Sequence, residues 1–116
     1  FYLGHADEIG VGAGEGFNLN LPLAAGTSAE NWFAALNVAC SRITQHHADA
    51  MVVSLGLDTF AGDPISKFAL MSDDFHRLGS TLKRFGMPTI FVLEGGYAAK
   101  ELGVNAANVL DAYEKA

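Results

Sequence analysis

Ala50-Met51-Val52-Val53-Ser54-Leu55 and, further along, Thr89-Ile90-Phe91-Val92-Leu93 are the stretches that decide the fold. Each is a short unbroken apolar run bounded by turn residues, as in a strand covered on both faces. Between them Ser72 caps a helix expected to run to Phe85 and stop at Gly86, with Pro88 just beyond. Strand, helix, strand in that order implies a right-handed parallel crossover. An earlier helix starts at Thr27, with Glu30 as its capping-box partner, and Trp32, Leu36, Ala39 and Ile43 mark its buried face. Cys40 lies one position along and reads as a small core residue. A last helix spans Ala98 to about Tyr113, weakened at Gly103. The fold class is α/β.

Two parallel strands and three helices cannot finish a doubly covered sheet, so the pattern reads as part of a larger one. Self-association is expected to cover the open edge and core. Upstream, glycines at 4, 10, 12, 14 and 16 make Phe1–Gly16 an irregular loop, and the alternation in Phe17-Asn18-Leu19-Asn20-Leu21 predicts a short half-buried strand stopped by Pro22. The glycine series mimics a dinucleotide fingerprint, but it precedes a strand instead of linking strand to helix.

The 116 residues suit one domain, and 50% hydrophobic and 17% charged residues argue against disorder. Seven Lys plus Arg against 13 Asp plus Glu, a net charge of −6, argue against nucleic-acid binding, which needs clustered cations. The acidic surplus is compatible with a cationic substrate. With Cys40 alone there is no intrachain disulfide, and a reducing, cytoplasmic setting is expected. No apolar run reaches the roughly 20 residues of a membrane span. A chain opening on Phe1 reads as a piece of something longer.

Ligands of open α/β sheets bind at the carboxyl ends of strands. Two loops occupy such ends. One carries Asp58, either a turn cap or a metal ligand held at a strand end. The other carries Tyr97 behind two glycines, either an ordinary tyrosine or a hydrogen-bond donor beside backbone that a ligand can approach closely. The run GLDTFAGDP (56–64) followed by LEGGY (93–97) resembles the C-terminal part of the zinc-dependent histone deacetylase family. The opening FYLGHADEIGVGAGEGFNLNLPL (1–23) is similar to that family's segment upstream of its third metal ligand, and its GHADE wording is closer to the acetylpolyamine amidohydrolase branch.

The resemblance implies an arginase-like α/β fold around a parallel sheet, of which this chain holds a C-terminal part, and hydrolysis of an acetyl amide. It implies a zinc ion held by an Asp, a His and a second Asp, with one position open for water. Asp58 matches the second Asp and Tyr97 the tyrosine that donates to the developing oxyanion. Tyr2 matches an aromatic lining the acyl-chain channel, with Gly95 and Gly96 beneath it. Asp63 and Glu94 also match motif positions and are expected to make structural hydrogen bonds. The family's Asp-x-His pair and tandem His-His belong upstream.

Asp74-Phe75-His76 has the letters of that pair but sits in a predicted helix, where positions i and i+2 face nearly opposite sides. His46-His47 closes the first helix, where solvated cations are favoured. His5 reads as a loop-shaping residue. The expectation is therefore a fragment of an enzyme acting on acetylpolyamine or acetyl-lysine. Alone it is expected to bind zinc weakly and to be catalytically silent. The acidic surplus leans towards polyamine. The alternatives are a non-catalytic remnant that self-assembles or binds a small molecule, and a composite site completed by another chain.

Overall fold

The computed structural model describes residues 4–116. After a 3-10 turn at Gly12–Gly14 come α1 (Ala29–His46), β1 (Met51–Leu55), α2 (Ser72–Lys83), β2 (Thr89–Leu93) and α3 (Ala99–Lys115). The strands pair in parallel, with Met51 opposite Thr89 and Leu55 opposite Leu93. The crossover through α2 is thus as expected.

The first two helices begin where side chains satisfy free N–H groups. Ser28, not Thr27, caps α1 by accepting from the Asn31 N–H at 3.3 Å, while the Thr27 hydroxyl closes the preceding turn onto the Ala24 carbonyl. Glu30 does not complete a capping box. It pairs with Arg77 of α2 at 2.9 Å, and the Arg77 guanidinium lies 3.9 Å over the Phe33 ring. Phe33 is consequently the buried residue of α1, whereas Trp32 and Leu36 only flank the core. Met71, not Ser72, stands at the N-cap of α2, and Asp74 accepts from its N–H. That helix ends at Lys83, two residues before Phe85, and Gly86 turns the chain at φ 64°.

Phe75, Leu78 and Leu82 of α2 and Val109 of α3 are buried with Met51, Leu55, Leu57 and Leu70. The two helices approach closely at Gly79, where any Cβ would run into the Val109 carbonyl. Tyr113 fastens α3 to the sheet, donating to the Met87 carbonyl at 3.3 Å and meeting Phe91 edge-on.

One expectation holds and one fails. The strands are not covered on both faces, as expected of part of a larger sheet. Met51, Val53, Leu55 and Phe91 face the helices, but Val52 is 67% and Ile90 64% exposed, with Val92 beside them. An apolar run is the pattern of a two-sided strand, yet among the described residues one side has nothing packed on it. The radius of gyration is 14.5 Å, against the roughly 13 Å of a globular domain this long. Nor is Phe17–Leu21 a strand. Among the described residues it has no ladder partner, and its alternation instead sends the amides of Asn18 and Asn20 to the carbonyls of Glu8 and His5.

Candidate functional site

Asp58 and Tyr97 stand on adjoining loops at the carboxyl ends of β1 and β2. The parallel ladder continues past the strands: the Glu94 N–H donates to the Leu55 carbonyl at 3.0 Å, and the Leu57 N–H to the Gly95 carbonyl at 2.6 Å. This stitching brings together Asp58 and the Gly95-Gly96-Tyr97 turn. The half-buried Asp58 carboxylate lies against Gly95, where a Cβ would overlap it. Gly96 has φ 149°, and a Cβ there would meet Leu102 at 2.7 Å and Leu57 at 3.1 Å. Glycine at 95 thus leaves the Asp58 carboxylate its place, and glycine at 96 is required by conformation as well as by close approach.

Asp63 knits the same two loops from below. It is 7% exposed. One carboxylate oxygen accepts from the N–H groups of Ile65 at 2.8 Å and Ser66 at 3.0 Å. The other accepts from the Tyr97 N–H at 2.8 Å. Burial alone would raise the Asp63 carboxyl, but the backbone N–H groups of Ser66, Ile65, Tyr97 and Ala98 outweigh it and hold the group below the usual carboxylate range. The carboxylate also stands at the N-terminal end of α3, where the helix dipole favours an anion.

A histone deacetylase domain model matches residues 2–113. The chain belongs to the histone deacetylase family. Acetylpolyamine amidohydrolase 1 of Pseudomonas aeruginosa is 53% identical over 116 residues, all of this chain and 34% of that relative. The acetylpolyamine amidohydrolase of Mycoplana ramosa is 48% identical over 109 residues, 94% of this chain and 32% of its own. A crystal structure of acetylpolyamine aminohydrolase from Burkholderia pseudomallei superposes with a TM-score of 0.96 at 36% identity, covering 98% of this chain and 33% of that one. This segment therefore has the histone deacetylase fold in part, and it spans about a third of the length of these relatives.

Of the residues singled out from the sequence, the family segment brings together Asp58, Gly95, Gly96 and Tyr97. Tyr2 lies outside the described residues. Tyr97 is 53% exposed, so its ring stands free of the core. Zinc sites of the kind the resemblance implies need three protein ligands. Among the described residues no three His, Cys, Asp or Glu side chains are placed to hold a metal ion, so Asp58 offers a single ligand and these residues alone do not fit the ion.

The two lookalikes are engaged elsewhere. Asp74 caps α2 while His76 is exposed. His46 ends α1 against the Phe17 ring, and His47 is the left-handed cap at φ 53°. His5 shapes its loop through its backbone, its N–H donating to Glu8 at 2.7 Å and its carbonyl accepting from Asn20. Glu94 contributes its backbone N–H, its side chain being exposed. Asp63 makes structural bonds as expected, but its partner Tyr97 lies 34 residues away and was not foreseen. An Asp in a Gly/Pro-rich loop signals a local turn and says nothing of a distant N–H.

No helix of the described residues is long and apolar enough to cross a membrane.

Proposed function

We propose that this chain is the C-terminal segment of a zinc-dependent amidohydrolase that removes acetyl groups from acetylated amines, with acetylpolyamines favoured over acetyl-lysine proteins. The observation that carries the reading is the stitching of β1 and β2 through Leu57 and Gly95, which sets the Asp58 carboxylate beside the turn that bears Tyr97. Relatives named for acetylpolyamine hydrolysis at about half identity, and the net charge of −6, support the polyamine substrate. In this reading Asp58 is one zinc ligand and the remaining ligands lie outside these residues. The Tyr97 hydroxyl donates a hydrogen bond to the oxyanion formed on the acetyl carbonyl. Gly95, Gly96 and Tyr2 line the channel for the amine's methylene stem. The chain on its own lacks the rest of the machinery and is inactive. A reducing, cytoplasmic setting goes with the lone Cys40.

The test is turnover of acetylated polyamines and an acetyl-lysine peptide by the full-length protein carrying this segment, with Tyr97→Phe alongside. Loss of about 10²–10³-fold in kcat for Tyr97→Phe is expected. Full activity in that variant overturns the assignment.

The bare apolar face of Val52, Ile90 and Val92 favours a second reading, a non-catalytic module that self-assembles through its sheet. Sedimentation separates the two. A 116-residue chain that stays monomeric overturns the module, whereas a discrete homo-oligomer of the short chain that gives way to a monomer once the longer polypeptide is intact supports the enzyme segment.

A further inference from the structure

We propose that Asp63 is a positioning residue for Tyr97, fixing through one carboxylate oxygen where the phenol stands relative to Asp58. This rests on the reading of Tyr97 as the hydrogen-bond donor of the site.

Tyr97 needs such a hold. It follows two glycines, the second at φ 149°. Ala98 after it has φ −79° and ψ 81°, and helical geometry starts only at Ala99. Its exposed ring is not gripped by the core. A residue in that setting can swing about the glycines, and packing alone does not set its hydroxyl.

The Asp63 carboxylate supplies the missing constraint. Its 2.8 Å bond to the Tyr97 N–H reaches across 34 residues of chain. The carboxylate cannot rotate away without also losing the Ile65 and Ser66 N–H groups on its other oxygen. Its own backbone is anchored in turn. The Asp63 N–H donates to the Phe60 carbonyl at 3.0 Å, and strand-like bonds join Ala61 to Leu70 and Leu70 to Thr59. This is the loop that carries Asp58. One rigid loop thereby references both functional side chains, and reacting groups must be held to within a fraction of an ångström for efficient chemistry. Asparagine has the same shape but presents an NH₂ to one of the two sets of N–H donors, so it cannot reproduce the clamp.

The experiment is a double-mutant cycle between Asp63→Asn and Tyr97→Phe in the full-length enzyme, joined to amide exchange at Tyr97. Asp63→Asn is expected to lower kcat on an acetylated polyamine by about ten- to a hundredfold, with KM changed less than about threefold. In the Tyr97→Phe background the same substitution should cost less than about threefold, because the hydroxyl it positions is gone. Additive losses would make Asp63 merely structural and overturn the proposal. If Tyr97→Phe itself leaves kcat intact, the reading of Tyr97 fails, which is a separate outcome.

Amide exchange decides the hold itself whether or not turnover is measurable. In the unsubstituted protein the Tyr97 amide should exchange slowly, and in Asp63→Asn at least about tenfold faster, with Phe75 and Val109 unchanged. Tyr97 exchanging at the unstructured rate in the unsubstituted protein overturns the proposal without any variant.

Discussion

Gly95→Ala separates the site from the fold. The alanine Cβ would overlap the Asp58 carboxylate, with the Asp58 Cγ 2.9 Å away. A normal contact requires roughly 3.4 Å or more, so the carboxylate must move by a sizeable fraction of an ångström to about 1 Å. Asp58 can yield, because the obstacle is the far end of a half-exposed side chain. Gly95 also lies outside the left-handed region. Alanine is therefore conformationally tolerated, and the lower entropy of its unfolded chain offsets the crowding by about 0.4–1 kcal/mol. The expected melting temperature is unchanged to within a few degrees. Activity should behave otherwise, since a misplacement near 1 Å can cost about 10²-fold in rate. The assay is kcat on an acetylated polyamine by the full-length protein, with thermal unfolding of the same samples. A variant that keeps kcat within about threefold would show that Asp58 is not where the chemistry needs it. A large fall in melting temperature would make Gly95 a packing residue and refute the reasoning just as well.

Two helix glycines should respond to alanine with opposite signs. Gly103→Ala enters open space on α3 and should stabilise by about 0.5–1 kcal/mol. Gly79→Ala meets the Val109 carbonyl, backbone that cannot turn aside, and should destabilise by about 1–2 kcal/mol net of the same propensity gain. Urea midpoints at constant slope measure both. The acid response of Asp63 follows from its lowered carboxyl, where backbone N–H bonds prevail over burial. A depressed folded-state value means that its stabilisation is complete above the unfolded value of about 3.9 and is lost as pH falls through the lower folded one. The difference in urea midpoint between the protein and Asp63→Asn should therefore be constant near neutrality and close in acid. A difference that widened in acid would have the wrong sign.

Much of this protein is local enough to be written in its residue order. The apolar runs at Met51–Leu55 and Thr89–Leu93, the helix starts near Ser28 and Ser72, and the stop at Gly86 follow from backbone preferences and capping within a few positions. The meeting of the Asp58 and Tyr97 loops was legible too, because each follows a strand, and parallel neighbours bring their carboxyl ends together.

Tertiary structure decided the rest, wherever a residue's partner is remote in sequence. Glu30 leaves its own helix end for Arg77, since a salt bridge over Phe33 is available only once α1 meets α2. Asn18 and Asn20 have the alternation of a strand but bond a loop, because a strand exists only where a second one pairs with it. Gly79 is a gap for the Val109 carbonyl, which nothing in α2 announces. Asp63 gains its role from the Tyr97 N–H in the same way. Sequence determines what each segment can form, and long-range contact determines which donors, acceptors and faces find a partner.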